Sequence, residues 1–213
     1  MDKIIIFDWG GVIENHNDPE RGWHALTANI VKRLSNGKNS TVRNWSKFID
    51  DGKEIPICTV SDRKLLDKWI DFIAISNGFD NDKEKFLKVY YEEYSKILYY
   101  KNVVDLIHNL HGKVKIGILS NLIMLDKNRL SSQVDFNFVD ELFLSFELGM
   151  VKPNNEIYEK VEELLGCDGE KILFIDDREE NVLAAKNRGW NVLQATGEDY
   201  LLIKETINKF IEK

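Results

Sequence analysis

Polar side chains follow three short apolar runs of this sequence, and a lysine follows a fourth segment. In chain order these groups are Asp8, Ser120-Asn121, Lys152 and Asp176-Asp177. Short runs rich in aliphatic residues are typical of strands buried on both faces of a parallel sheet. Ligands bind at the carboxyl ends of such strands. We therefore expect one site that joins a nucleophile, hydroxyl and amide donors, a cation and a pair of carboxylates.

The three aspartates of this set predict a site for a divalent cation. Asp176 and Asp177 are adjacent in the chain, and Asp8 is expected beside them. Buried charges are costly unless they pair or bind a metal, and Mg²⁺ prefers carboxylates together with phosphate oxygens. A bound Mg²⁺ would also screen the repulsion between an anionic nucleophile and a phosphate group.

Each of these groups also has an ordinary structural interpretation. Asp8 is compatible with a turn after a strand, and Asp177 with capping of the helix that follows it. Ser120-Asn121 is compatible with a turn, and Lys152 with an exposed surface position. The occurrence of all these groups in this order favours the site.

Strands and helices that would position these groups alternate along most of the chain. Predicted strands cover residues 4–7, 114–119, 142–146, 172–175 and 190–194. This alternation predicts an α/β fold, a Rossmann-like and mostly parallel sheet with helices on both faces. We expect this core to occupy residues 1–16 and 101–213.

Residues 17–100 interrupt the alternation with helical patterns alone. Predicted helices cover residues 23–34, 41–49, 61–77 and 82–100. Asn36-Gly37, Asp51-Gly52 and Asn77-Gly78 are interpreted as stops at the ends of the first three. The pattern therefore predicts an all-helical domain inserted directly behind the first strand.

The composition is that of an ordinary globular protein. Of the 213 residues, 43% are hydrophobic and 31% are charged, and the net charge is −7. An acidic chain disfavours nucleic acids and anionic membranes as partners. Cys58 and Cys167 form no disulfide framework, and no apolar run approaches the ~20 residues of a membrane span. With no signal segment before the first strand, we expect a cytoplasmic monomer or homodimer that binds a small molecule.

Four motifs carry a resemblance to a known family. They are residues 7–12 (FDWGGV), 118–121 (ILSN), 149–153 (GMVKP) and 174–177 (FIDD). Together and in this order they resemble the haloacid dehalogenase superfamily, in which phosphatases predominate. The helical segment resembles the cap of the family's smaller phosphatases. One branch, the sugar 1-phosphate phosphatases, shares Asp-x-Gly at the first motif.

The resemblance implies a nucleophile and a metal site. Asp8 would attack phosphorus and form an aspartyl-phosphate that water then hydrolyses. Mg²⁺ would bind the carboxylates of Asp8 and Asp177 and the backbone carbonyl of Gly10, with Asp176 a direct or outer ligand. The implied activity is Mg²⁺-dependent hydrolysis of a small phosphomonoester such as a sugar phosphate.

The resemblance also implies the groups that hold the phosphoryl oxygens. Ser120, Lys152 and the backbone N–H groups around Trp9 and Gly10 would bind them, with Asn121 among the substrate-binding residues. These donors would stabilise the charge that spreads over the oxygens during transfer.

One position departs from the pattern of most family phosphatases. Gly10 stands where they carry a second Asp that protonates the leaving oxygen and later activates water. Such help is worth roughly 10²–10⁴-fold. Either the substrate has a good leaving group, or one of the loop residues Glu14, His16 and Asp18 replaces the missing Asp.

Two alternatives remain open at this stage. The family's 2-haloacid dehalogenases also lack the second Asp, but they use no metal and do not keep an acidic pair at the fourth motif. The other alternative is a weakly active or non-catalytic binding protein of the same fold.

Overall fold

The computed structural model describes residues 3–127 and 136–212. The strands in these ranges are β1 (Ile4–Phe7), β2 (Lys47–Asp50), β3 (Lys53–Pro56), β4 (Lys115–Ser120), β5 (Glu141–Leu144), β6 (Ile172–Asp176) and β7 (Asn191–Gln194). Five of them form a parallel sheet in the order β5-β4-β1-β6-β7, and β2 pairs with β3. This sheet confirms the predicted α/β fold.

Helices cover both faces of the parallel sheet. The helices of the described residues include α1 (Trp23–Leu34), α2 (Arg63–Asn77), α3 (Lys83–Tyr94), α4 (Lys101–Leu110), α5 (Ser145–Leu148), α6 (Asn155–Leu165), α7 (Glu179–Asn187) and α8 (Tyr200–Glu212). In β1, Ile5 and Phe7 pack into the cluster beneath α4 and α8, whereas Ile4 and Ile6 pack into the cluster beneath α6 and α7. Successive side chains of a strand point to opposite faces, so an unbroken apolar run fits a strand covered on both sides.

The central position of β1 brings the strand ends together. β4 and β6 flank β1, and the backbone N–H of Asp8 continues the ladder by donating to the carbonyl of Ile175 at 2.8 Å. The last residues of β4 and β6 are Ser120 and Asp176. The residues that follow or end these three neighbouring strands therefore lie at one edge of the sheet.

The inserted segment is not all-helical, which corrects the prediction for residues 41–49. Part of that stretch forms β2, which pairs with β3 across Asp51 and Gly52. Both residues have positive φ, 48° and 75°. A two-residue Asp-Gly loop with positive φ at both positions matches the twist of a β-hairpin. The Asp-Gly pair therefore marks a hairpin turn rather than a helix stop.

The last helix of the insert is shorter than predicted. Its expected range was 82–100, but α3 ends at Tyr94. The chain beyond it joins the loop after β1, where Asn15 N–H donates to Leu98 O at 2.8 Å and Tyr100 N–H donates to Ile13 O at 2.9 Å. These backbone bonds hold residues 98–100 in an extended path and keep them out of the helix.

The insert has an apolar core of its own. Trp45, Trp69, Phe86, Tyr90 and Tyr94 are buried in one aromatic cluster. The predicted stop at Asn77-Gly78 is confirmed, since left-handed Gly78 ends α2, and Asp62 caps its start by accepting the Leu65 N–H.

The division of the chain into a core of residues 1–16 and 101–213 and an insert of residues 17–100 stays a prediction. Residues 1–2, 128–135 and 213 of that core range lie outside the described residues. In the part of the chain that the structure describes, no helix has the length and apolar character needed to cross a membrane.

Candidate active site

Asp8 is a buried carboxylate at the centre of the strand ends. Its Oδ1 accepts hydrogen bonds from the Ser120 hydroxyl at 2.8 Å and from the Trp9 backbone N–H at 2.6 Å. The ammonium of Lys152 lies 2.9 Å from the same oxygen. The sheet thus brings together side chains from three distant parts of the sequence.

Lys152 joins Asp8 to Asp176. Its Nζ lies 2.6 Å from Asp176 Oδ2, and only 1% of the side chain is exposed. Burial disfavours the charged ammonium, but the two carboxylates outweigh that effect and raise the pKa of Lys152. The side chain is therefore a buried cation rather than a surface lysine.

Asn121 positions Lys152 through the backbone. Its amide nitrogen donates to the Lys152 carbonyl at 2.9 Å, and its amide oxygen accepts the Lys152 N–H at 3.0 Å. This reciprocal pair fixes the segment that carries the lysine. Both ends of the Asn121 amide contact protein, although the residue also borders the cavity described below.

Asp176 is fully buried and held from several directions. Asn181 Nδ2 donates to both carboxylate oxygens, at 3.0 and 3.1 Å, and the Arg178 N–H donates at 2.9 Å. Burial and the neighbouring Asp8 carboxylate raise the pKa of Asp176 to about 6, even though Lys152 opposes the shift. The negative charge on this carboxylate is therefore only partly compensated.

Asp177 faces the glycine turn that follows β1. A Cβ placed on Gly11 would lie 2.4 Å from Asp177 Oδ2, and Gly11 has a φ of +81°. Glycine is therefore required both for the backbone conformation and for the close approach of the carboxylate. Burial and the adjacent Asp176 raise the pKa of Asp177.

The space beside Gly10 is filled by an imidazole. A Cβ built on Gly10 would lie 2.2 Å from Cε1 of His16 and 2.5 Å from its Nδ1. The Nε2 of this ring lies 2.7 Å from Oε1 of Glu14, a fully buried residue. Of the three loop residues considered from the sequence, Asp18 turns elsewhere, because its carboxylate accepts the backbone N–H groups of Glu20 and Arg21.

Trp9 contributes to the loop in two ways. Its backbone N–H contacts Asp8, and its ring is completely buried and packs edge-on against Tyr99 at 5.8 Å. The indole Nε1 donates to Glu14 Oε2 at 2.8 Å. The ring therefore anchors the loop to the core.

Two adjoining cavities open above these groups. The first, of about 120 Å³, is lined by predicted residues (Asp8, Gly10, His16, Ser120, Asn121, Lys152 and Asp177) together with Arg178 and Asn181. The second, of about 370 Å³, borders residues of the insert that include Trp23, His24, Trp45 and Ile57. His16, Asn121 and Arg178 line both cavities, so these residues mark the passage between them.

Several lining residues of the second cavity were not singled out from the sequence. Trp23 and Trp45 line this cavity, whereas Tyr90 and Tyr94 lie in the aromatic core of the insert. Arg178 directly follows Asp176-Asp177 in the sequence, and this adjacency could have identified it as a residue of the site.

The donor set fits a hard divalent cation. Among the described residues, Asp8, Asp176 and Asp177 each offer a carboxylate oxygen, and these oxygens lie within 4.8 Å of one another. Lys152 is the ammonium that contacts two of these carboxylates. A cluster with more carboxylates than buried cations, in which two of the carboxylates have raised pKa values, has the oxygen ligands and the unbalanced charge that Mg²⁺ satisfies.

Residues 3–189 match a family model described as a haloacid dehalogenase-like hydrolase. A curated relative, glyceraldehyde 3-phosphate phosphatase from Methanothermobacter thermautotrophicus, is 28% identical over 102 residues. That match covers 46% of this chain and 45% of the relative, so this chain spans less than half of the relative's length.

Solved structures share the fold. A HAD family enzyme from Bacteroides thetaiotaomicron, in complex with magnesium and inorganic phosphate, is 20% identical with a TM-score of 0.64, over 90% of this chain and 92% of that chain. The L-2-haloacid dehalogenase from Xanthobacter autotrophicus, with chloropropionic acid covalently bound, is 16% identical with a TM-score of 0.57, over 90% and 76% of the two chains.

Proposed function

The chain belongs to the haloacid dehalogenase-like hydrolase family, and on that premise we propose that this enzyme is a Mg²⁺-dependent phosphomonoesterase. Its substrate is a small phosphorylated metabolite such as a sugar phosphate. One observation carries the proposal: the buried Asp8 carboxylate contacts both a hydroxyl donor and a buried ammonium and lies beside two further carboxylates. The phosphatase named among the relatives and the neighbour bound to magnesium and phosphate support it.

Asp8 is the nucleophile in this proposal. One carboxylate oxygen attacks phosphorus, the bond from phosphorus to the leaving oxygen breaks, and an aspartyl-phosphate forms. Water then attacks phosphorus, the bond from phosphorus to the Asp8 oxygen breaks, and inorganic phosphate and the Asp8 carboxylate result. Covalent catalysis of this kind divides one difficult displacement into two easier ones.

Asp8, Asp177 and the carbonyl of Gly10 would hold Mg²⁺, with Asp176 a direct or outer ligand. When bound, Mg²⁺ supplies positive charge that lets an anionic carboxylate approach an anionic phosphate. Asp176 is also positioned by Asn181 and by the backbone of Arg178, which fixes it relative to Lys152.

Ser120, Lys152 and the backbone N–H groups near Trp9 and Gly10 would hold the phosphoryl oxygens. Lys152 is fixed before substrate arrives, because Asn121 holds its backbone and two carboxylates hold its ammonium. Preorganised donors in a buried site stabilise the transferring group without further rearrangement. Ser120 and Lys152 therefore act on the phosphoryl group, and Asn121 acts through Lys152.

The second cavity would receive the rest of the substrate. Its wall combines tryptophan rings, Trp23 and Trp45, with polar groups such as Asp126. Flat apolar rings beside hydrogen-bonding groups suit the two kinds of surface that a sugar presents. This cavity supports a sugar phosphate as the substrate class.

The carboxylate cluster favours this function over 2-haloacid dehalogenation. The resemblance implies that dehalogenases of the family work without metal and do not keep an acidic pair at the fourth motif. Here Asp176 and Asp177 are both retained and lie within reach of Asp8. A retained nucleophile, lysine and acidic pair also favour an active enzyme over a binding protein.

Phosphate release from purified protein tests the proposal. Substrates are p-nitrophenyl phosphate, a sugar 1-phosphate and a sugar 6-phosphate, each with Mg²⁺ or with a chelator, and Asp8→Asn is the control for contaminating phosphatase. We expect release that requires both Mg²⁺ and Asp8. Release from none of the phosphates together with halide release from 2-haloacids would overturn the proposal.

A further inference from the structure

A permanently charged side chain lies at the passage between the two cavities. His16, Asn121 and Arg178 border both cavities, and of these three Arg178 carries the guanidinium. Its backbone is fixed, because its N–H donates to Asp176 Oδ1 at 2.9 Å and the residue is the N-cap of α7. The side chain is 63% exposed. A cation that starts from this fixed point is accessible to a ligand that fills both cavities.

The accessible charge in the wall of the second cavity is positive. The acidic and the guanidinium side chains of this wall are Asp126 and Arg178. Asp126 is only 7% exposed, and its two carboxylate oxygens accept the Tyr90 hydroxyl at 2.8 Å and the Ile123 N–H at 3.2 Å. The carboxylate is therefore held by the protein, whereas the guanidinium is open to a ligand.

An exposed carboxylate holds the guanidinium of Arg178. In the part of the chain that the structure describes, it pairs with Glu180, with Nη2 2.5 Å from Oε1, and the Glu180 side chain is 48% exposed. Exposed ion pairs of this kind contribute little to stability, because water screens the charges and two long side chains lose freedom. An anionic group of a ligand can therefore replace Glu180. The fork of N–H donors on a guanidinium matches both carboxylate and phosphate oxygens.

We propose that Arg178 is a specificity-determining residue that binds a second anionic group of the substrate, either a carboxylate or a second phosphoryl group. The inference rests on the proposed phosphomonoesterase function. The phosphoryl group to be transferred lies against Asp8, and the organic part extends past Arg178 into the second cavity. Lys152 is buried between two carboxylates, so the second anionic group falls to the exposed Arg178. The substrate class is a sugar phosphate with a further anionic group, such as a phosphorylated sugar acid or a sugar bisphosphate.

The test compares sugar 1-phosphates that differ only at carbon 6. Glucose 1-phosphate has a neutral hydroxyl there, glucuronic acid 1-phosphate has a carboxylate, and glucose 1,6-bisphosphate has a phosphoryl group. The measured quantity is kcat/KM for cleavage of the 1-phosphate, with the products identified by phosphorus NMR, as a ratio to the value for glucose 1-phosphate. We expect at least one of the two ratios to exceed about 10 in the wild type. The larger ratio identifies the anionic group that Arg178 binds.

Arg178→Gln should lower the larger ratio roughly 10–100-fold, because a hydrogen bond between two charged groups is lost. The loss should fall on KM for the anionic substrate rather than on kcat, since a group remote from phosphorus is bound equally in the ground state and the transition state. Arg178→Lys should restore part of the ratio, because lysine keeps the charge but not the fork of donors.

Glu180→Gln should change the ratio in the opposite direction. Removal of the competing carboxylate should raise the ratio about two- to threefold, an increase that a purely structural role of Arg178 does not produce. Arg63→Gln is the matched control, because Arg63 forms a similar exposed pair with Asp67 at 3.2 Å and lies outside the described lining of both cavities. The ratio in this variant should equal that of the wild type.

The outcomes separate this inference from the proposed function. Equal losses on glucose 1-phosphate and on the anionic substrates in Arg178→Gln would overturn the inference, because Arg178 would then act on the phosphoryl group that they share. A wild type without preference for either anionic substrate would also overturn it, while p-nitrophenyl phosphate turnover that depends on Asp8 keeps the enzyme a phosphatase. Absence of any turnover that depends on Asp8 would overturn the proposed function, and this inference with it.

Discussion

Two clusters of charged side chains, one at the strand ends and one in the insert, differ in their balance of positive and negative groups. In the insert, the carboxylate of Glu93 meets two cations, with Arg33 Nη1 at 2.6 Å and Lys96 Nζ at 2.7 Å. At the strand ends, the single ammonium of Lys152 meets Asp8 and Asp176. Arg33 also contacts Glu92, so the first cluster has as many cations as carboxylates, whereas the second has fewer cations than carboxylates.

The pKa shifts of the two clusters run in opposite directions. Burial of Glu93 favours its neutral form, but the hydrogen bonds from Lys96 and Arg33 prevail and lower its pKa. The pKa values of Asp176 and Asp177 are raised. A cluster in which cations and carboxylates balance one another stabilises the fold. A cluster that keeps excess negative charge is instead suited to bind a cation.

The largest effect is expected from Lys152→Met. Its removal leaves Asp8 and Asp176 buried without their cation, so we expect the free energy of unfolding without metal to fall by about 3–5 kcal/mol. Urea unfolding measures the change. Lys160→Met is the control, since Lys160 contacts the exposed Glu163 and its loss should cost no more than about 0.5 kcal/mol. Equal losses in the two variants would show that Lys152 is not a buried partner.

Mg²⁺ should stabilise the folded protein through the strand-end cluster and not through the cluster in the insert. At about 100 times its Kd, Mg²⁺ should raise the free energy of unfolding of the wild type by about 2.7 kcal/mol, because it binds only the folded chain. Thermal or urea unfolding with Mg²⁺ and with a chelator measures the difference. Asp177→Asn should lose most of it, whereas Glu93→Gln should keep it. An equal response in both variants would contradict a metal site at the strand ends.

The metal-free protein should gain stability as the pH falls from 7 to about 5. Asp176 has a folded pKa of about 6, above its unfolded value, so the folded state takes up the proton first. We expect a gain of roughly 1 kcal/mol over this window, measured by urea unfolding in chelator. Asp176→Asn should remove it. If the stability of the wild type changed with falling pH in the same way as that of Asp176→Asn, the pKa of Asp176 would not be raised in the folded state.

Glu93→Gln should have the smallest effect, with the opposite dependence on pH. The pKa of Glu93 is lowered, so its charge stabilises the fold above its ordinary pKa and the contribution is lost as the pH falls through the folded value. We expect a cost of about 1 kcal/mol at pH 7 that diminishes in acid, with phosphate release unchanged. A loss of activity that matches the loss of stability would remove the distinction between the clusters.

The core of the fold was predictable because its signals are local. Apolar runs such as that of β1 identified the strands, and the polar residues that end them identified Asp8, Ser120 and Asp176. The hairpin was missed because β2 and β3 are short and Asp51-Gly52 is also compatible with a helix stop. At that length, periodicity does not separate a strand from a helix.

The positions of the side chains in the loop after β1 could not be predicted from sequence patterns. His16, Glu14 and Asp18 were equivalent candidates from their positions alone. Their geometry depends on backbone bonds to residues 98–100 and on the buried contact of Glu14 with Trp9, both of which involve the folded chain. Likewise, the aromatic wall of the second cavity depends on how the insert packs, so spacing alone did not show that Trp23 and Trp45 would border it.

Trapping the covalent intermediate tests the central claim most directly. The enzyme is mixed with p-nitrophenyl phosphate and Mg²⁺, quenched in acid during turnover, digested and mapped by mass spectrometry. We expect a phosphoryl group on the peptide that contains Asp8, absent from chelator-treated enzyme and from Asp8→Asn. A phosphoryl group on another residue, or phosphate release that survives Asp8→Asn, would contradict the account.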